Sequence, residues 1–210
     1  MKIMAEDEEM NKMLSKVEEN KLKKEKRLYE AAYELFTTKG INDTAINDIV
    51  KRAGVAKGTF YLYFKDKYCI VELIVLRKSS KILREAIEAT LMKNYENPID
   101  GVVAFVDYLI EYLRNDKKLL KLIYKNLSWG MYRKAVVKTG QYEEMRHTVR
   151  LFMENFIDAS TDEDEAEKNL FIIIELVGSV CYSSIILQEP DNIDDMKPVL
   201  YKAIKKILSK

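Results

Sequence analysis

The stretch from residue 28 to residue 71 decides the fold of this chain; it reads LYEAAYELFTTKGINDTAINDIVKRAGVAKGTFYLYFKDKYCIV. Its first apolar residues recur at i, i+3, i+4 and i+7, which is the spacing of an amphipathic helix, and Gly40 follows as a C-terminal cap. A short second helix is expected after it, with Thr44 as the N-terminal cap. The turn Ala53-Gly54-Val55 then leads into a third helix over residues 56–64. Two short helices joined by a tight turn predict a helix-turn-helix.

The rest of the chain predicts further helices. They are expected at residues 67–92 after a cap at Asp66, at 98–114 starting with Pro98, and at 117–128, 142–159, 161–188 (with a capping box from Thr161 and Asp164) and 194–208. Seven Gly and three Pro in 210 residues are too few for a turn-dense β fold. The predicted fold class is all-α, with about nine helices in all. A polar extension over residues 1–20, a mobile arm or a frayed continuation of the first helix, precedes a helix-turn-helix domain at 21–68 and a helical domain at 69–210.

Charge and composition restrict the functional classes. Residues 21–81 hold 14 basic and 7 acidic side chains, although the whole chain has a net charge of only +1, so any basic site is local. The two cysteines form no metal or disulfide pattern, and the charged N-terminus lacks a secretory signal, which together predict a cytoplasmic protein. The apolar stretch 170–187 is interrupted by Glu175 and is expected to be a buried helix, with no membrane partner.

The outer face of the third helix carries the candidate chemistry. Its residues combine small groups that admit a close backbone approach, hydroxyls that donate hydrogen bonds, and cations that displace counterions. They are Lys57, Gly58, Thr59, Tyr61, Tyr63, Lys65 and Lys67. Spacing alone leaves two interpretations open: a DNA-reading helix, or the solvated face of an ordinary helical hairpin.

The same stretch resembles the DNA-binding domain of the TetR (tetracycline-repressor-like) family of bacterial regulators. The matching residues are Ala31, Ala32, Leu35, Phe36, Gly40, Thr44, Ile49, Ala53-Gly54-Val55, Lys57, Gly58, Thr59, Phe60, Tyr61, Phe64 and Lys67. The resemblance implies an all-helical homodimer that represses transcription from a double-stranded DNA operator. It also implies a C-terminal ligand-binding and dimerisation domain, where a small molecule causes release of the operator.

The resemblance also assigns roles to single residues. Those expected to contact DNA are Thr44, Lys57, Gly58, Thr59, Tyr61, Tyr63 and Lys67, whereas Phe60 and Phe64 are expected in the core. The chain departs from the commonest family pattern at Leu62, where many members have a second aromatic residue, and at Tyr63, where many have His. Both departures lie on the reading helix and leave the operator sequence open.

The C-terminal half suggests an effector site and a dimer seam. The effector is expected to be a small hydrophobic or cationic molecule in a cavity enclosed by the fifth to eighth helices, and the long fourth helix would transmit its binding to the spacing of the two reading helices. The expected lining residues are Phe105, Tyr108, Tyr112, Trp129, Phe152 and Glu175. Glu175, a carboxylate expected to be buried, either pairs with a cationic or Tyr side chain inside the fold or across a dimer seam, or binds a cationic ligand. The last two helices are expected to form the homodimer interface.

Two other classes of function remain as alternatives. An enzyme is disfavoured, because the single histidine, His147, lies among arginines and no catalytic, metal-binding or cofactor motif occurs. No catalytic residue, metal or cofactor is therefore predicted. The second alternative is a helical sensor or scaffold dimer without specific DNA binding.

Overall fold

The computed structural model describes residues 2–128, 143–156 and 162–209. Within these ranges the chain forms nine α-helices and one π-helix and has no strand. The helices are α1 (Lys2–Thr38), α2 (Ile46–Ala53), α3 (Lys57–Tyr63), α4 (Lys67–Leu91), α5 (Pro98–Asn115), α6 (Lys117–Asn126), α7 (Glu143–Phe156), α8 (Glu163–Cys181), the π-helix (Tyr182–Leu187) and α9 (Ile193–Leu208). The predicted all-α class is confirmed. The chain divides into two compact units, Met1–Ile74 and Val75–Lys210, and the boundary lies inside α4.

The core of the first unit is built from the apolar faces of its short helices. Leu28, Phe36, Ile49 and Phe60 are at most 4% exposed, and α1 packs on α2, which packs on α3. The start of α4 is fixed as predicted, because the carboxylate of Asp66 accepts hydrogen bonds from the backbone N–H groups of the helix's first turn. The hydrogen bond from the N–H of Cys69 holds the pKa of Asp66 below its usual range.

The start of α2 differs from the sequence expectation. The N-cap residue is Ala45, and the carboxylate of Asp48 accepts a hydrogen bond from the Ala45 N–H at 3.2 Å. Thr44 is fully buried, and its hydroxyl donates backwards to the carbonyl oxygen of Gly40 at 2.7 Å. The prediction that Thr44 caps the second helix is therefore wrong: its hydroxyl closes the preceding loop.

The first helix is longer than the periodic pattern that predicted it. Residues 2–20 continue α1 without a break, which matches the alternative of a helical extension; the mobility of this segment stays a prediction. The apolar pattern was weak there because the positions described between residues 16 and 24 are exposed. These described positions therefore offer no packed face from which sequence periodicity could predict a helix.

Capping residues set the helix boundaries of the second unit. Pro98 is the first residue of α5 as predicted, and the side chain of Asn97 accepts a hydrogen bond from the Ile99 N–H at 2.9 Å. The cap of α8 is Asp162, whose carboxylate accepts from the Glu165 N–H. Thr161, the predicted capping residue, lies outside the described residues.

The apolar stretch that ends α8 is buried on one face only. The predicted α-helix to residue 188 instead ends at Cys181 and continues as the π-helix, after which Gln188 adopts a left-handed conformation. Leu170, Ile173 and Val177 are at most 3% exposed, whereas Ile172 is 47% exposed. The segment Asp164–Leu187 is long and apolar enough to cross a membrane, but core helices of soluble proteins meet the same criterion. Only about a third of the apolar stretch that was expected to be buried is buried within the single chain.

Polar contacts fasten the last helix to α5. The ammonium group of Lys197, which is mostly buried, donates to the carboxylates of Asp107, at 2.6 Å, and Glu111. The hydroxyl of Tyr201 also donates to Asp107. Further along the same pair of helices, Lys205 forms an ion pair with Asp100 at 2.7 Å. These contacts bridge residues about 90 or more positions apart in sequence and so fix the register of α9 on α5.

Candidate nucleic-acid interface and effector cavity

The predicted tight turn joins α2 and α3. Gly54 caps α2 in the left-handed conformation, with φ +62°, and the Val55 N–H donates to the carbonyl oxygen of Val50 at 3.0 Å. Arg27 of α1 donates a guanidinium hydrogen bond to the Gly54 carbonyl at 3.2 Å. The turn is therefore held from both sides, and the geometry predicted for a helix-turn-helix is present.

The outer face of α3 is open to solvent. Tyr61 is 52% and Leu62 is 79% exposed, and Lys57 is exposed as well. The opposite face carries Phe60 and Phe64, which are buried as predicted and whose ring centroids lie 5.5 Å apart. The short helix is thus fixed by two aromatic anchors and presents its polar side outward.

Gly58 has no internal packing reason to be glycine. A Cβ atom at this position would meet nothing within 4 Å, and the residue lies inside α3, where alanine is the better helix former by up to about 1 kcal/mol. The close approach of DNA to Gly58 stays a prediction, and a glycine would permit it.

Three of the predicted DNA-contacting residues have internal partners, and two of them, Lys67 and Thr44, bind within the loop before α2. The ammonium group of Lys67 donates to three loop carbonyl oxygens, those of Ile41 at 2.8 Å and of Asn42 and Thr44 at 3.2 Å each. Thr44 itself has no exposed side chain. In this conformation both residues hold the loop that leads into α2.

The remaining predicted contacts lie along α3. Thr59 is half-buried, and the hydroxyl of Tyr63 donates to the carbonyl oxygen of Lys21 in α1 at 3.0 Å. Lys57, Gly58 and Tyr61 stay accessible. The structure therefore brings these five residues onto one short helix, whereas Thr44 and Lys67 lie at its supporting loop.

The second unit contains an apolar cavity of about 110 Å³. Four of the five helices around it belong to the predicted set, α5 to α8, and α4 contributes as well. The apolar lining consists of Ile82, Leu83, Leu109, Leu113, Ile123, Leu127, Met145, Phe171, Ile174 and Val177. Polar atoms come from Ser79, Tyr124, Ser128 and Glu175. The hydroxyl oxygen of Ser79 is buried and has no hydrogen-bond partner among the described residues, so a ligand with a polar group could satisfy it.

Glu175 lines this cavity but is not a buried residue. Its side chain is exposed to solvent, and none of the ion pairs found within the described ranges includes it. The expectation of a buried carboxylate is therefore corrected: α8 turns this position away from the core. Among the described residues no cation or Tyr hydroxyl pairs with it, so the choice between a structural partner and a ligand stays a prediction.

The other predicted lining residues lie elsewhere. Phe105 and Phe152 are buried with ring centroids 4.9 Å apart and border a separate void of only about 10 Å³. Tyr108 and Tyr112 are half-buried on α5, with their ring centroids 6.5 Å apart, and do not line the larger cavity. Trp129 lies outside the described residues.

Comparison with known proteins identifies the first unit. Residues 28–74 match the family described as "Bacterial regulatory proteins, tetR family". This part of the chain is similar to the DNA-binding domain of that family. The match covers the helix-turn-helix, its supporting helix α1 from Leu28 and the start of α4.

Curated relatives named as HTH-type transcriptional regulators match part of the chain. The uncharacterized HTH-type transcriptional regulator YdgC of Bacillus subtilis (strain 168) is 34% identical over 100 residues, 46% of this chain and 51% of the relative. YvdT of the same organism is 45% identical over 51 residues, 24% of this chain and 26% of the relative. The chain thus spans about half, or less, of the length of these relatives.

Solved structures share the fold over nearly the whole chain. A TetR transcriptional regulator from Rhodococcus sp. RHA1 has 21% identity and a TM-score of 0.62, with 91% of this chain and 98% of that chain covered. FadR of Thermus thermophilus, a TetR-family transcriptional repressor in complex with lauroyl-CoA, has 18% identity and a TM-score of 0.59, with 88% and 95% covered. At these identities the likeness concerns the fold.

Proposed function

We propose that this chain is a ligand-responsive transcriptional regulator of the TetR family, a repressor that binds a palindromic operator as a homodimer and releases it when a small molecule binds. The observation that carries the proposal is the open face of α3, where Lys57, Gly58 and Tyr61 are exposed on a helix anchored by Phe60 and Phe64. Such a helix fits the major groove, and a protein of this kind acts in the cytoplasm, where the DNA is.

The charge of the first unit supports DNA as the partner. Residues 21–81 carry the excess of basic side chains, and duplex DNA attracts such a surface through release of condensed counterions. The family comparison favours a regulator over the enzyme that the sequence left as an alternative. A helical sensor without specific DNA binding remains the competing outcome of the test below.

The proposed homodimer forms through α8 and α9. These helices pack on each other, yet Ile172 of α8 is 47% and Val199 of α9 is 63% exposed in the single chain. A twofold axis would let the same patch cover itself on a second copy. Glu175 near the centre of the segment favours a protein interface over lipid, because a carboxylate is costly in a bilayer.

The proposed effector site is the 110 Å³ cavity between α4 and α8. Small-molecule sites usually enclose about 300–1,000 Å³, so a complete ligand requires the surrounding helices to move apart. Ser79, Ile82 and Leu83 of α4 line the cavity, and Lys67 at the start of the same helix holds the loop before α2. We propose that α4 carries the displacement, which selects a state with lower DNA affinity.

The chemistry of the cavity restricts the class of effector. Its apolar lining suits a ligand with a hydrocarbon or aromatic body. The lauroyl-CoA in the FadR structure, which shares the fold, has such a hydrocarbon chain. The carboxylate of Glu175 disfavours an anionic group beside it and favours a neutral or cationic one. A hydrophobic molecule with one polar group for Ser79 and no negative charge near Glu175 fits best.

A mobility shift tests the proposal. The full chain is titrated at physiological salt against a duplex from the region upstream of its own coding sequence and against a random duplex of equal length. A specific regulator binds the upstream duplex more tightly, typically by at least about 10³-fold. Equal affinity for both duplexes would contradict the repressor function and favour the sensor or scaffold.

A further inference from the structure

A basic turn precedes the matched DNA-binding domain. The family match begins at residue 28, whereas α1 begins at Lys2. Residues 21–27, KLKKEKR, hold five basic side chains and one acidic side chain. All five basic side chains are exposed. This turn is not part of the helix-turn-helix and has no role in its core.

The cations of this turn fall on two faces of α1. Because a helix has about 3.6 residues per turn, positions 21, 24 and 28 share one face. At Leu28 that face is fully buried in the core, and at Lys21 and Lys24 it continues past the core as exposed lysines. The opposite face carries Lys23 and Lys26.

The two faces differ in their ion pairs. Lys23 forms an ion pair with Glu19 at 2.6 Å, and Lys26 pairs with Glu30 at 3.8 Å. Lys21 and Lys24 have no carboxylate partner among the described side chains. Their charge is therefore available to an external anion.

Contacts within the first unit fix this segment of α1 beside the reading helix. The hydroxyl of Tyr63, the last residue of α3, donates to the carbonyl oxygen of Lys21 at 3.0 Å. Arg27, at the end of the same turn, donates to the carbonyl of Gly54 in the turn before α3. The basic turn thus contacts both ends of the α3 region and is held as a formed helix.

We propose that Lys21 and Lys24 extend the DNA interface beyond the helix-turn-helix by contacting phosphates next to the bases that α3 reads. This inference rests on the proposed DNA binding and adds a second contact region to it. Each phosphate that a lysine neutralises releases about one counterion, so the contacts raise affinity for any sequence and lengthen the protected site.

Salt dependence provides the test, with the full chain and duplexes of about three helical turns, roughly 30 bp. The variant Lys21→Ala/Lys24→Ala removes the unpaired charges, and Lys23→Ala/Lys26→Ala is the matched control on the opposite face. For the first variant, the slope of log K against log salt is expected to fall in magnitude by about 1.8 per protomer, or 0.9 for each lost phosphate. The control is expected to keep the wild-type slope, and Lys21→Arg/Lys24→Arg is expected to restore it.

The outcomes separate this inference from the proposed function. An unchanged slope in the first variant, or an equal fall in both double variants, overturns the role of Lys21 and Lys24 while regulation by DNA binding stands. If the wild type binds the upstream and random duplexes equally, the proposed sequence-specific regulation is contradicted. The salt slopes measured on the random duplex still decide the role of the two lysines. If the wild type binds neither duplex, both the proposed function and the role of Lys21 and Lys24 are contradicted. Thermal melting of each variant excludes unfolding as the cause.

Discussion

Lys67 holds the loop before α2 through Ile41: the ammonium nitrogen at the start of α4 lies 2.8 Å from that carbonyl oxygen. Two further loop carbonyls, those of Asn42 and Thr44, accept from the same nitrogen. A cation that satisfies three carbonyls acts like a cap on the loop, and the direction in which α2 and α3 leave that loop depends on it.

Replacing Lys67 by Met is expected to act on DNA binding through this loop. The free energy of unfolding should fall by about 1–2 kcal/mol, because hydrogen bonds from a charged group are lost at a partly buried site. Affinity should fall for upstream and random duplexes alike, with an unchanged salt slope. Urea denaturation and anisotropy titrations at several salt concentrations measure both effects.

Lys57→Ala provides the contrast for that experiment. Lys57 is exposed on α3, and a phosphate contact there predicts a salt slope lower by about 0.9 with unchanged stability. A slope that falls by the same amount in Lys67→Met would show that Lys67 reaches a phosphate after all.

Gly58→Ala is expected to separate folding from DNA binding. The new methyl group meets nothing within 4 Å, so stability should stay the same or rise by up to about 1 kcal/mol. DNA affinity should fall at least about tenfold, the loss of about 1.4 kcal/mol. Unchanged affinity would mean that no backbone approaches DNA at this position.

Gly54→Ala is the opposite case and serves as its control. Gly54 has φ +62°, and a Cβ there would lie 2.6 Å from Arg27 Nη2. The left-handed conformation alone costs a non-glycine residue about 1–2 kcal/mol. This variant should therefore unfold at lower urea concentration than wild type, whereas Gly58→Ala should not.

Glu175→Gln tests the choice between a structural and a ligand-binding carboxylate. The side chain is exposed and has no ion pair among the described residues, so the melting temperature of the free protein should be unchanged. Cationic hydrophobic compounds should stabilise wild type more than their neutral analogues, and the variant should lose that preference. Thermal shift with both compound series measures the difference. A melting temperature that falls would instead indicate that Glu175 has a structural partner, inside the fold or across the dimer seam.

Arginine substitutions on α8 and α9 test the dimer seam. Ile172→Arg and Val199→Arg place a charge on exposed positions and should yield soluble monomers in size-exclusion chromatography, because burying an unpaired charge in an interface is costly. Ile204, a natural choice from sequence alone, is fully buried, and Arg there would unfold the chain. If the dimer survives both substitutions, its interface lies elsewhere on the surface.

The contacts of Asp107 with Lys197 and Tyr201 predict that the free energy of unfolding depends on pH in the acidic range. Burial raises the pKa of Asp107, but the hydrogen bonds from Lys197 and Tyr201 outweigh it, so the net pKa lies below the usual value. A depressed pKa means that the stabilisation is complete above the unfolded value of about 3.9 and is lost as the pH falls through the folded value.

Asp107→Asn is expected to lower the free energy of unfolding by about 1 kcal/mol at pH 7, a modest amount because solvent screens the half-exposed carboxylate. The difference from wild type should shrink as the pH falls below about 4. Urea midpoints at pH 7 and pH 3 check this. Asp100→Asn, which breaks only the exposed pair with Lys205, should change the midpoint less.

The helix-turn-helix could be predicted because its signals are local. Gly54 at the turn, the buried pair Phe60 and Phe64, and the cap at Asp66 each act within a few residues of their position in sequence. The cavity could not be predicted in the same way. Ser79 lies on α4, the helix that the sequence predicts to transmit effector binding, and Phe105 is a typical core aromatic residue. Only the packing of five helices decides which of these two residues borders the cavity.

The charged contacts were also beyond sequence reasoning for a physical reason. From the sequence Lys67 is a candidate phosphate ligand, but in the structure its ammonium group donates to three carbonyl oxygens of a loop that is remote in sequence. Glu175 looks buried within FIIIELV, yet helical periodicity turns one residue in every turn outward. Both outcomes depend on partners that are remote in sequence.

The rings of Tyr124 and Tyr182 stack with centroids 4.3 Å apart and planes 15° apart, and Tyr124 borders the cavity. Two phenol chromophores held this close in a fixed, chiral arrangement contribute a near-ultraviolet circular dichroism signal that reports tertiary packing. A compound that enters the cavity and shifts Tyr124 would change this signal. The protein thus carries an intrinsic optical reporter with which unlabelled compounds can be screened in solution.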